Sequence, residues 1–131
     1  MTAFVDTNVL IRHLTGDPPT QAAKATRYLQ QADELLLADL IFAEVTYVLE
    51  SFYETPRSQV AETLRAVLAF PTMRVIDDQL LHRAVEVYDA HRLDFADAYL
   101  VASAERTGVG EIVSFDRAID RPGTVRRVEP E

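Results

Sequence analysis

The stretch Ala3-Phe4-Val5-Asp6-Thr7-Asn8-Val9-Leu10 passes from an apolar triplet, through one acidic residue, into a segment with helical spacing. A short apolar run that ends on Asp and turns into a helix reads as a buried strand leaving a parallel sheet. Open α/β sheets place their ligand sites at such carboxyl ends. The same change of period recurs along the chain. Short runs with β-branched residues at 3–5, 35–38, 74–76, 112–114 and 125–127 alternate with helix-period segments at 7–14, 20–32, 40–53, 57–69, 79–90 and 95–107. This alternation predicts βαβ units and an α/β fold with a parallel sheet. Gly16-Asp17-Pro18-Pro19, Thr55-Pro56 and Gly108 stand where helices are expected to stop.

At 131 residues, 48% of them hydrophobic, the chain can close one core, and a single domain over 1–131 is expected. With no cysteine it has no disulfide, thiolate zinc site or cysteine nucleophile. No basic-then-apolar leader is evident, and no apolar run reaches the roughly 18 residues of a membrane span, so a cytoplasmic protein with no membrane partner is expected. A formal net charge of −8 argues against a non-specific polyanion binder, whose affinity comes from Lys and Arg. Bound divalent cations would offset that charge locally, and Arg12, Arg117, Arg121, Arg126 and Arg127 cluster toward the two ends of the sequence. Of these, Arg12, Arg117 and Arg121 are candidates for substrate phosphates.

Four carboxylates stand out. Asp6 and Asp116 each close an apolar run and precede a helical segment, with helix capping as the alternative role. Glu44 lies in Leu40-Ile41-Phe42-Ala43-Glu44-Val45-Thr46-Tyr47-Val48-Leu49, a helix apolar around nearly its whole circumference, and is therefore expected to be buried and compensated by a cation or a salt bridge. Asp97 lies between Ala96 and Ala98 on another core-like helix. Asp94, three residues earlier, is explained as an N-cap and is held as an accessory carboxylate. Two carboxylates at strand exits and two on apolar helices are expected to meet at one end of a parallel sheet. Their repulsion would then call for a hard cation with oxygen ligands, Mg²⁺ or Mn²⁺. Thr7, Asn8 and Ser114 are candidates to support that shell by hydrogen bonding. His13, His82 and His91 are scattered through helices and read as incidental.

Two rival chemistries fail on residues. A phosphate-accepting receiver module needs a lysine near its phosphoryl site, and the only lysine is Lys24, in a polar helix far from the later strands. An Asp-x-Asp phosphatase needs a second Asp where the chain has Asn8. A non-catalytic binding protein of the same fold, acting through protein or RNA contacts, remains the alternative.

Phe4-Val5-Asp6-Thr7-Asn8-Val9-Leu10, Ala43-Glu44-Val45, Asp94-Phe95-Ala96-Asp97-Ala98 and Ser114-Phe115-Asp116, in that order and with those separations, resemble the four acidic motifs of the PIN-domain family of metal-dependent ribonucleases. The small size resembles its VapC toxin branch. The resemblance implies a three-layer α/β/α sandwich with a central parallel sheet, and Mg²⁺- or Mn²⁺-dependent hydrolysis of single-stranded or loop RNA, with transfer and ribosomal RNA among the candidates. It further implies a homodimer and inhibition by a cognate VapB-like antitoxin. Asp6, Glu44, Asp97 and Asp116 are then the expected catalytic and metal-binding residues.

Overall fold

The computed structural model describes residues 2–131, which divide into two compact units, one ending at Ile76 and one spanning Asp77–Glu131. The first unit contains β1 (Thr2–Phe4), α1 (Thr7–Thr15), α2 (Pro19–Gln31), β2 (Glu34–Leu36), α3 (Asp39–Ser51), α4 (Arg57–Leu68) and β3 (Met73–Arg74). Its strands form a parallel sheet in the order β1-β2-β3, with Ala3 opposite Leu35 and Leu35 opposite Met73. The second unit contains α5 (Asp78–His91), α6 (Phe95–Thr107), β4 (Glu111–Val113), a short 3₁₀ helix (Arg117–Asp120) and β5 (Arg126–Val128). Here β4 and β5 pair in parallel, with Ile112 opposite Arg127. Every strand pairing is thus parallel and the class is α/β, as the alternation of periods predicts.

Helix boundaries follow local chemistry. Gly16 ends α1 at φ 70, donating its N–H to the Arg12 carbonyl at 2.9 Å, and Gly108 ends α6 at φ 75. Pro19 opens α2 at a position where its missing N–H costs nothing. Asp77 caps α5, its carboxylate accepting the Leu80 N–H at 3.1 Å. The same helix ends on Arg92 in the left-handed region, φ 57, a conformation disfavoured for a residue with a Cβ. Its carbonyl accepts a 3.0 Å bond from Arg121 Nη1.

In the first unit Leu10, Leu29, Leu35, Leu37, Phe42 and Leu64 are fully buried. In the second, Leu81, Val85 and Tyr88 of α5 and Phe95, Ala98, Val101 and Ala102 of α6 are buried, and α5 and α6 form a tight helical hairpin. Small residues on α6 allow the close approach, and the Tyr88 and Phe95 rings meet edge-on at 6.0 Å. Arg83 grips Glu105 through two bonds, Nε to Oε1 at 2.7 Å and Nη2 to Oε2 at 2.9 Å. Arg106 Nε reaches Asp77 at 2.9 Å, so the last turn of α6 is tied to the first residues of α5.

One expectation is corrected: the run before Asp6 is only partly buried, Val5 being 7% exposed and Phe4 72% exposed. Asp39 occupies the first turn of α3, after Ala38. Among the described residues no helix is long and apolar enough to cross a membrane.

Burial separates two leucines of equal chemistry. Leu81→Ala, at a fully buried site, is expected to cost about 2–5 kcal/mol in denaturant unfolding, while Leu40→Ala, at a site 76% exposed, should stay within about 0.5 kcal/mol. Equal costs would contradict the packing described.

Candidate metal-binding site

The second unit carries the tightest carboxylate grouping. Asp94 is the residue before α6, and its carbonyl accepts the Ala98 N–H at 2.9 Å to start the helix. Its carboxylate makes no capping bond, so the N-cap role expected for that side chain is not the one it plays. Asp97 follows in the first turn, half-buried. Asp116 sits in the turn after β4, doubly fixed: its N–H donates to Ser114 Oγ at 2.9 Å, and its own Oδ1 accepts the Ala118 N–H at 2.9 Å. Capping, the alternative weighed for Asp116, is realised, and Ser114 acts as an acceptor in that turn.

Burial, then the negative charges of Asp116 and Asp94, then a hydrogen bond with Asp116 push the Asp97 carboxyl above the usual range for Asp.

In the first unit, Asp6 follows β1 directly. Val5 donates to the Leu36 carbonyl at 3.0 Å, and the Asp6 carbonyl accepts from Leu10 at 3.4 Å to begin α1. The Asp6 side chain makes no capping bond although it stands at the N-cap position. Capping therefore does not explain it. Next to it Thr7 is 4% exposed and its Oγ1 has no hydrogen-bond partner in the protein, whereas Asn8 is exposed.

Glu44 departs from expectation. It is exposed, because α3 buries the face formed by Phe42, Val45, Thr46 and Leu49 and turns Glu44 away from it. A helix apolar all round need not be buried all round: Leu40 on the same helix is 76% exposed. The desolvation argument holds for Asp97 and fails for Glu44.

Within either unit, among the described residues, no three His, Asp or Glu side chains stand as a ready metal-binding group. The donor chemistry nevertheless fits a hard divalent cation. Asp97 is held against like charge, and the Thr7 hydroxyl is buried beside Asp6 without a protein partner. The remaining candidates divide. Arg12 Nε donates to Gln21 Oε1 at 2.5 Å, Arg117 is exposed, and Arg121 is engaged on the Arg92 carbonyl. His13 bonds Thr26 at 2.8 Å and lies edge-on to Phe70, and burial lowers its pKa. Its role is structural. An open groove of about 670 Å³ in the first unit is lined by Asp6 and Arg12 and also by Lys24 and Tyr28 of α2, which were not among the expected site residues. Their i, i+4 spacing in a polar helix was the available signal.

The profile of the family described as PIN domain matches residues 3–124 of the chain. A VapC ribonuclease of Aquifex aeolicus (strain VF5) is 25% identical over 123 residues, covering 92% of this chain and 91% of its own. Among solved structures, Mycobacterium tuberculosis VapC20, a Sarcin-Ricin loop cleaving toxin, is 21% identical with a TM-score of 0.44, covering 98% of this chain and 99% of its own. A toxin–antitoxin complex from Klebsiella pneumoniae is 19% identical with a TM-score of 0.37, covering 88% and 87%.

The raised pKa of Asp97 sets a sign. In the unfolded chain an Asp titrates near about 3.9. In the fold Asp97 titrates higher, so its stabilising contribution is complete below the unfolded value and is lost as pH rises through the folded one. Asp97→Asn should therefore melt at a higher temperature than the parent at neutral pH without divalent ions, with the gap closing in acid. A gap that is absent at neutral pH, or constant with pH, would contradict the like-charge account.

Proposed function

Because the chain belongs to the PIN-domain family, we propose that it is a VapC-type toxin, an endoribonuclease that depends on Mg²⁺ or Mn²⁺ and is held in check by a VapB-like antitoxin. The observation that carries the reading is Asp97 at the start of α6, half-buried, in hydrogen-bond contact with Asp116 and facing the negative charges of Asp116 and Asp94. The similarity to a VapC ribonuclease over nearly the whole chain supports the reaction class.

In this reading Asp97 and Asp116 are the primary cation ligands of the second unit, with Asp94 accessory. In the first unit Asp6 is kept as a candidate ligand on the sequence argument, strengthened by the lack of a capping bond. Glu44, exposed on α3, is assigned as a ligand or as the base that orients water. Thr7 and Asn8 in the first unit and Ser114 in the second are assigned to support the carboxylates of their own unit by hydrogen bonding. When bound, the divalent ion supplies an activated water and offsets charge on the scissile phosphate. Because burial and like charge raise the Asp97 pKa, a cation held there would bind more weakly as the pH falls. Water rather than a 2′-hydroxyl is the nucleophile, which sets the products as a 5′-phosphate and a 3′-hydroxyl. A homodimer and a cytoplasmic location accompany this assignment. Phe52, 74% exposed at the end of α3, offers apolar surface for a partner.

Purified protein incubated with structured RNAs should cleave them only with Mg²⁺ or Mn²⁺. Asp6→Asn and Asp97→Asn should each lower the rate by about 100-fold or more, the order expected when a transition-state charge stabiliser is lost. Cleavage that survives chelation or both substitutions, or a 2′,3′-cyclic phosphate product, would refute the mechanism. Binding of RNA without any cleavage would mark a non-catalytic binding protein.

A further inference from the structure

We propose that the groove of the first unit cradles a single-stranded RNA segment, with Arg12 and Lys24 on its phosphates and Tyr28 stacked against a base. The proposal rests on the ribonuclease reading for its substrate class and adds the residues that would hold that substrate beside Asp6.

The chain carries 13 basic against 21 acidic residues, and several of its arginines are consumed by ion pairs: Arg83 with Glu105, Arg106 with Asp77, Arg126 with Glu111 and Arg127 with Asp120. Arg12 and Lys24 are different. Among the described residues no carboxylate pairs with either, and both line the groove of about 670 Å³ that also takes in Asp6. Gln21 holds Arg12 by its Nε alone at 2.5 Å, which orients the guanidinium and leaves its two Nη groups for an anion. Tyr28, 46% exposed, lies four residues beyond Lys24, on the same face of α2. Phe4, 72% exposed, presents a second aromatic surface to the groove. Unpaired cations interleaved with exposed aromatic rings match the chemistry of a single nucleic-acid strand, whose phosphates take the charge and whose bases take the rings. An acidic peptide would use the cations but leave the rings without planar partners.

The test is fluorescence anisotropy of a labelled single-stranded oligoribonucleotide with the full chain, in an Asp97→Asn background so that the probe is not cut. Lys24→Gln should weaken binding and reduce the slope of log affinity against log salt by about 0.7, one phosphate contact on a single strand. Tyr28→Ala should weaken binding about 5- to 100-fold, Tyr28→Phe should restore it, and an abasic oligonucleotide should be indifferent to Tyr28→Ala. The proposal is overturned if the background protein does not bind the oligonucleotide, or if both variants, with unchanged melting, bind it as their parent does. It is also overturned if Lys24→Gln weakens binding of a polyglutamate peptide and not of RNA. RNA affinity lost on Lys24→Gln, with no Mg²⁺-dependent cleavage by the wild-type chain, would retire the ribonuclease reading and keep the groove. Cleavage intact with RNA affinity untouched would retire the groove alone.

Discussion

A carboxylic acid confined beside two others sets the terms for this protein. Asp97 cannot move away from Asp116 and Asp94, because α6 fixes its backbone through the Asp94–Ala98 bond and the turn after β4 fixes Asp116 through Ser114 and Ala118. The unit around it is braced against the repulsion. Arg83 clamps Glu105 on α6, Thr124 bonds the same carboxylate, and Arg106 holds Asp77 at the start of α5. Like charge pressed together by a stable scaffold is relieved by a proton or by a cation. In the proposed reading a hard divalent ion would relieve that charge.

How much of this the sequence discloses depends on which physical quantity each residue reports. Helix positions were legible, since 3.6-residue periodicity extends over many turns and Gly16, Pro19 and Gly108 mark the ends by their backbone requirements. The span predicted for α6 matches residue for residue. Strands of two or three residues carry little periodic signal, and those observed begin and end one or two residues away from the expected runs. The candidate carboxylates were picked out by type and order. Their environments were not, because burial belongs to tertiary packing. Glu44 looks buried from its neighbours and is exposed, while Asp97 looks buried and is half so. Asp6, Asp94 and Asp116 read alike as caps, and only Asp116 spends its carboxylate on one.

The net charge of −8, which by itself argues against a nucleic-acid partner, is unevenly used. Much of the cationic charge braces the second unit or its C-terminal strand, where Arg126 pairs with Glu111 and Arg127 with Asp120. Arg12 and Lys24, two first-unit cations with no carboxylate partner among the described residues, line the groove that contains Asp6. An acidic chain can thus present a local positive surface to phosphates, and Lys24, the lone lysine, is placed where composition would not have directed attention.

The most direct observation of the constraint is the Asp97 carboxyl itself. A ¹³C-detected NMR titration of this group, with and without saturating Mg²⁺, should show a pKa above the ordinary Asp range in the metal-free protein and a marked fall once the ion is bound. An ordinary pKa in the metal-free protein, or a raised one that Mg²⁺ leaves unchanged, would contradict the assignment of Asp97 as a crowded carboxylate awaiting a cation.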